Sequence, residues 1–310
     1  MNDNSLFSQA KKGWDSFWFS KCETTTLGLM RILAGAIIFY THLVWTFEFD
    51  SFFSRDQLLS MEHNRIITDS SFAWSHFRWI ESETLLWGIH WIALAGMLLF
   101  CLGAFTRVTS ILTAFFTISY ANRAVGAAFG LDQINVMLAF YLAIGPSGNS
   151  LSIDAWWRGR NSQMPTVSQS SILANFVTRL IQLHLCIIYL FAGCSKLLGS
   201  TWWNGEAIWG AMANAEYQTI DLTWLAAYPY VINLLTHLTL AWEVSYFIMV
   251  WPRWSRPIVI GMAIAVHLGI GISMGMVEFG LIMVIANLVF VSPSFVNALL
   301  LRLGVPKQTQ

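Results

Sequence analysis

Charge is scarce in this chain. Only 11% of its 310 residues are Asp, Glu, Lys or Arg, and 17 basic against 17 acidic side chains leave a formal net charge of zero. A nucleic-acid surface needs a basic excess, so no nucleic-acid partner is expected. Cysteine is also scarce. Cys22, Cys101, Cys186 and Cys194 show neither a CxxC nor a Cys/His metal spacing. No apolar run contains an HxxxH or HxxE pair, so no metal is expected. The first apolar run starts only near Leu27, and no small-residue cleavage site follows a short apolar core. A removable signal peptide is therefore not expected. Nor is there an internal repeat of the kind that builds the inverted halves of secondary transporters.

What is abundant is apolar. At 56% hydrophobic, with a mean hydropathy of +0.56, the chain is expected to be all-α, a polytopic transmembrane helical bundle. Sixteen tryptophans suit two interfacial belts. Residues 1–26 are expected to hold an amphipathic helix on the cytoplasmic surface, since 5–22 mix Phe and Trp with Lys11, Lys12 and Lys21. A transmembrane domain is expected over 27–300 and a short cytoplasmic tail over 301–310. About eight spans are predicted, near 27–47, 84–102, 108–121, 131–144, 172–198, 231–251, 257–276 and 279–299. A mixed segment at 48–82 reads as short interfacial helices, 146–171 as the clearest hydrophilic loop, and 199–229 as a Trp-rich stretch almost free of Lys and Arg. Both termini then share one side. Placing them in the cytoplasm puts Lys11, Lys12, Lys21, Arg107, Arg158, Arg160, Arg253, Arg256, Arg302 and Lys307 inside. Only Arg55, Arg65, Arg78 and Arg123 lie outside. The excess of inside positive charge supports that orientation, in a bacterial inner membrane for instance.

One apolar run ends on a cation. Written as a helix, Arg179, Gln182, Cys186, Tyr189, Gly193 and Lys196 are spaced 3, 4, 3, 4 and 3, which sets them on one stripe. A lipid-facing helix has no reason to gather its polar and small residues on one side. Lys196 thus becomes a candidate functional residue. The alternative is that it snorkels, with its stem on apolar surface and its ammonium in water. In the orientation above it lies at the extracytoplasmic end of its span.

The apolar runs also hold Arg31, His42, His90, Asp132, Arg179, His184, His237, Glu243 and His267. Arg31 and Arg179 are explained by snorkelling or a carboxylate partner as well as by catalysis. His42, His90 and His184 read as hydrogen-bonded core histidines. Glu243 lies near mid-span and must be protonated or paired. It shares a face with Thr236 and Thr239. His267 sits in a Gly-rich run, HLGIGISMGM, whose small residues permit either close helix approach or room for a flat ligand. A lysine in a low-dielectric site gives up its proton more readily and can serve as a general base. Aromatic surroundings suit a flat, lipid-soluble ring such as a quinone.

The run YLFAGCSKLLGSTWWNG (189–205) resembles the vitamin K-dependent γ-carboxylase family and its bacterial HTTM relatives. The matching positions are Tyr189, Ala192-Gly193, Lys196-Leu197, Trp202 or Trp203, and Gly205. LMRILAGAIIF, MLAFYLAIGPSGNSLSIDAWW and VHLGIGISMGMVEFGLIMVIANLVFVSP agree in order along the chain. The resemblance implies that Lys196 deprotonates a reduced vitamin K-type hydroquinone in oxygen-dependent chemistry on the luminal side. Glu243, His267 and Asp132 would support it, and Tyr189, Gly193, Trp202 and Trp203 would form or cover the cofactor site. Two positions depart from the family. Ser195 stands where animal enzymes have a second lysine, and the histidine opening their mid-chain helix falls at Leu131-Asp132. The soluble domain that binds the carboxylase propeptide is not expected here, so a leaner activity than glutamate carboxylation is implied. Short relatives of the SdpB type resemble maturation factors for exported toxin peptides. The alternatives to a quinol-dependent membrane enzyme are therefore a maturation or interaction factor for an exported peptide and, less well supported, a transporter.

Overall fold

The computed structural model describes residues 6–54, 73–161 and 170–304. Arg55, Arg65 and Lys307, together with parts of the 48–82 segment, the 146–171 loop and the tail, lie outside the described residues. Helices dominate: α1 (Leu6–Phe19), α2 (Thr25–Trp45), α3 (Phe49–Phe53), α4 (Glu83–Leu102), α5 (Thr106–Arg123), α6 (Gly130–Ile144) and α7 (Ile153–Asn161). They continue with α8 (Ile172–Lys196), α9 (Ser200–Trp203), α10 (Ala207–Met212), α11 (Pro229–Met249), α12 (Arg256–Met274), α13 (Val277–Asn287) and α14 (Pro293–Arg302). The strands among the described residues are two dipeptides, β1 (Cys22–Glu23) and β2 (Ser170–Ser171), paired antiparallel with Cys22 opposite Ser171.

Among the described residues, five helical stretches are long and apolar enough to cross a membrane: Thr25–Phe53, Glu83–Leu102, Ile172–Lys196, Pro229–Met249 and Arg256–Met274. The other three expected spans differ, each for a physical reason. Helix α5 carries Thr106, Thr109, Ser110, Thr113, Thr117 and Ser119, all buried, which lowers its hydropathy. Helix α6 has 15 residues, about 22 Å at 1.5 Å per residue, against a hydrocarbon core of about 30 Å. The stretch at 279–299 is not one straight helix. Val277–Phe290 and Pro293–Arg302 are bent 116° from one another, so they make one further span only if taken as a broken pair. Ser292 caps the second piece by accepting from the Phe295 N–H, and Pro293, which lacks an amide hydrogen, stands at its start.

The chain divides into two compact units, residues 1–180 with 291–310, and residues 181–290. In the first, α2 packs on α4 and α6, and α5 packs between α4 and α6. Its core is aromatic: Phe53 stacks on Phe77 at 5.2 Å and meets Tyr120 edge-on at 5.0 Å. Buried cations there meet backbone carbonyls, although the Nε of Arg31 has no partner. Arg31, fully enclosed, donates to the carbonyls of Ser147 at 2.7 Å and Ser150 at 3.3 Å. Gly103 makes this possible. It ends α4 in the left-handed region at φ +73°, and a Cβ there would come within 2.7 Å of the Arg31 guanidinium carbon. Arg179 donates to the Phe17 carbonyl at 3.2 Å and lies over the Phe17 ring, tying α1 to the start of α8. His42 bonds the Ile38 carbonyl. His90 bonds Tyr120 and Thr46, the role of a core histidine.

The start of α5 depends on a remote carboxylate. Asp154 accepts from the Phe105 N–H at 2.9 Å and from the Thr106 N–H and hydroxyl at 2.7 Å each. Burial works against its charged form, but these donors and Arg158 outweigh it and hold the carboxyl below its ordinary range. A depressed folded-state value contributes stability above the unfolded carboxyl's pKa, near 3.9, and that contribution is lost as pH falls through the folded value. Asp154→Asn is accordingly expected to cost about 1 kcal/mol near neutral pH, the usual price of a lost helix cap. The difference between variant and wild type should shrink on acidification below about pH 4, as read by thermal unfolding in detergent.

Candidate functional site

Within the second unit the stripe on α8 faces inward. Cys186, Tyr189 and Gly193 are buried, and Gln182 donates to the Val289 carbonyl at 2.9 Å. Helix α11 passes so close at Gly193 that a Cβ there would sit 2.9 Å from Val244 Cγ2 and 3.0 Å from its backbone nitrogen. That approach lets the next turn of the stripe meet α11. Lys196 Nζ lies 2.9 Å from Glu243 Oε1 and 2.7 Å from Oε2, straddling the carboxylate. The Oε1 contact is the well-directed hydrogen bond, and the Oε2 contact is electrostatic. The Lys196 side chain is 25% exposed and that of Glu243 10%. The indole of Trp202 covers the ammonium at 5.3 Å. Lys196 is therefore neither a bare buried amine nor a snorkelling cation, but half of an ion pair.

A second cluster lies in the same unit. Tyr246 donates to Asn287 Oδ1 at 2.6 Å, and Asn287 Nδ2 donates to the Met283 carbonyl at 2.9 Å and to the Tyr189 hydroxyl at 3.0 Å. Tyr189 in turn lies 2.8 Å from His267 Nε2. The Met283 carbonyl fixes the direction of this chain, because an inverted Asn287 amide would set two acceptors against each other. With Tyr189 accepting from Asn287, its own proton goes to Nε2, which assigns His267 the neutral tautomer with hydrogen on Nδ1. That Nδ1 is buried with no hydrogen-bond partner. Around it stand Trp242 at 6.2 Å and Phe279 at 5.8 Å between ring centroids. Trp242 is itself pinned by donating to the Val259 carbonyl at 3.0 Å. The two clusters interact electrostatically, Lys196 with His267 and Glu243 with Tyr189.

Comparison with family models, with curated proteins and with solved structures yields no similarity to this chain. The chemistry must be argued from the side chains themselves.

The structure joins Lys196, Glu243 and Trp202 in one contact set, and Tyr189 and His267 in the other, with Gly193 as the close-approach position. Trp203 is 62% exposed and donates to the Leu197 carbonyl at 2.7 Å. Asp132 belongs to the first unit, where its carboxylate accepts from the Phe129 N–H at 3.0 Å at the start of α6. Thr236, on the Glu243 face, bonds the Ile232 carbonyl and the Ile208 N–H, while His237 is exposed. The Gly-rich run divides in two. Gly271 lies against Val277, and Gly269 meets open space. Asn287, Tyr246 and Trp242 were not among the predicted site residues. An asparagine within the apolar run GLIMVIANLVF was a visible signal, since a buried amide requires partners.

A buried pair that loses one member leaves an uncompensated charge. Lys196→Met should cost about 3 kcal/mol, and the double variant Lys196→Met/Glu243→Leu should recover most of it. Thermal unfolding of the single and double variants checks this. Additive losses would show that the two side chains are not coupled.

Proposed function

We propose that the chain is a multi-pass integral membrane enzyme of the vitamin K-dependent γ-carboxylase-like, HTTM kind. Both termini lie in the cytoplasm, and the Lys196–Glu243 pair acts at the extracytoplasmic face on a quinol-type, lipid-soluble cofactor. The observation that carries this reading is His267 Nδ1, buried without a partner, assigned as a donor by the Tyr189 bond, coupled electrostatically to Lys196 and standing between aromatic rings. A ring bearing an oxygen would satisfy it.

The pair supplies one basic site. As an ion pair it holds one proton between Nζ and the carboxylate, and transfer to Glu243 would leave Lys196 as a free amine at no change in net charge. An acidic hydroxyl beside it could then lose its proton to Nζ. Tyr189 has both its hydrogen-bonding roles filled and serves to position His267. His267, Trp242 and Phe279 would hold the ring, with Trp202 and Trp203 toward its entrance. A quinol, when bound, supplies the oxygen-dependent redox chemistry. The topology proposed is the eight-span one, with α5 and α6 as short, polar-lined spans inside the first unit and the α13–α14 pair as a broken one. Helix α1, with Leu6, Phe7, Trp14 and Phe19 exposed, would lie on the cytoplasmic surface.

A second reading, a maturation factor for an exported peptide, is favoured by the apolar exposure between α8 and α11. Leu198, Trp203, Trp224, Tyr228 and Tyr230 all stand open there.

Mass spectrometry of lipid extracted from purified protein tests the first reading. A quinone should co-purify with wild type, and His267→Phe should lower its retention about tenfold, the worth of one hydrogen bond to a buried group. Lys196→Ala should abolish quinol oxidation. Absence of any quinone from active preparations would refute the reading. Activity seen only with an added exported peptide would favour the second.

A further inference from the structure

The first unit contains a cavity of about 220 Å³, several times the ~30 Å³ that a water occupies in the liquid. Its wall includes Thr106, Arg107, Ser110, Gly148, Asp154 and Arg158. It lies between the start of α5, the turn after α6, and α7. None of these residues takes part in the Lys196 site.

Each guanidinium carries five N–H donors. Arg107 reaches the Ala143 carbonyl at a long 3.4 Å, and Arg158 the Gly148 carbonyl at 3.0 Å. Most of their donors are left for a ligand. The single carboxylate in the wall is already engaged, because Asp154 accepts from Phe105 and from both donors of Thr106. Two guanidinium charges against one carboxylate leave the wall with a positive excess, to which the buried Arg31, coupled to the same Asp154, adds, and a phosphodiester's negative charge would offset it. Arginine forks match phosphate oxygens two at a time.

The surroundings indicate what carries that phosphate. Helix α7, IDAWWRGRN, buries Ala155 and leaves Ile153, Trp156 and Trp157 exposed. Phe105, beside Thr106, and Leu173, on the cavity wall, are also exposed. Tryptophans beside arginines on a short amphipathic helix fit the membrane–water interface, with rings toward acyl chains and guanidinia toward headgroups. We infer that this cavity binds a phosphate group, presented by an anionic phospholipid whose headgroup enters between Arg107 and Arg158.

Native mass spectrometry of the full-length protein in detergent, titrated separately with a short-chain phosphatidylglycerol, a short-chain phosphatidylcholine and inorganic phosphate, tests this. Phosphatidylglycerol should bind in preference to phosphatidylcholine. Affinity should fall about fivefold for each arginine charge removed, as expected for a basic side chain at a lipid surface, in Arg107→Gln and in Arg107→Gln/Arg158→Gln. Arg107→Gln gives up only the long bond to Ala143, so it is the variant that preserves the fold. Arg160→Gln, outside the cavity wall, should leave binding unchanged. Phosphate binding that is lost in the same variants, without lipid binding, would keep the anion site and assign it to free phosphate. Equal retention of both lipids, or binding indifferent to Arg107 and Arg158, would overturn the inference.

Discussion

A lysine and a glutamate held together among apolar helices set the terms for the second unit. Removing two charges from water is expensive, and their attraction repays it only when the geometry is close and the remaining polar atoms are satisfied. Here Nζ straddles both carboxylate oxygens and an indole covers the exposed side. Closeness has a steric condition, which Gly193 meets by admitting the backbone of α11 one turn before Lys196. Any side chain at that position would push α11 away and lengthen the contact. The ion pair, the glycine and the helix crossing are one arrangement.

The two units treat buried polarity differently. In the first, cations are answered by carbonyls at chain turns, as Arg31 is by Ser147 and Ser150, and histidines lock helices together. Those bonds hold shape, although His42 Nε2, Arg31 Nε and both side-chain polar atoms of Asn135 are left without a partner there. In the second, side chains answer side chains across α8, α11, α12 and α13, and the chain from Tyr246 through Asn287 and Tyr189 ends on an imidazole nitrogen with a donor to spare. Polar groups arranged in a directed series and left incomplete at one end are costly to maintain. Partnerless atoms occur in both units, so what marks the candidate site is a directed series of side chains ending between Trp242 and Phe279 and coupled electrostatically to Lys196.

Much of this was legible in the residues, and the limits have physical causes. The 3-4 spacing from Gln182 to Lys196 identified the inward face of α8, because helical periodicity is a local property. The partner of Lys196 stands 47 residues away, and no periodicity links positions on different helices, so Glu243 could be recognised as needing a partner but not matched to one. Asp132 looked similar in composition, yet a carboxylate three residues into a helix is often spent on its own first turn, as this one is. The spans at 108–121 and 131–144 were read from apolar content, which does not reveal that the hydroxyls of α5 face inward. The break after Phe290 was signalled by Ser292-Pro293, a helix-start pair inside an otherwise continuous apolar stretch.

The state of the pair itself is the most direct point of test. Infrared spectroscopy of protein carrying isotope-labelled glutamate, compared with the same preparation of Glu243→Gln, isolates the Glu243 carboxyl band. The account predicts an ionised carboxylate in the resting wild type that converts to a protonated carboxyl when Lys196 is replaced by Met. A carboxyl already protonated in the wild type, or one indifferent to the loss of Lys196, would contradict it.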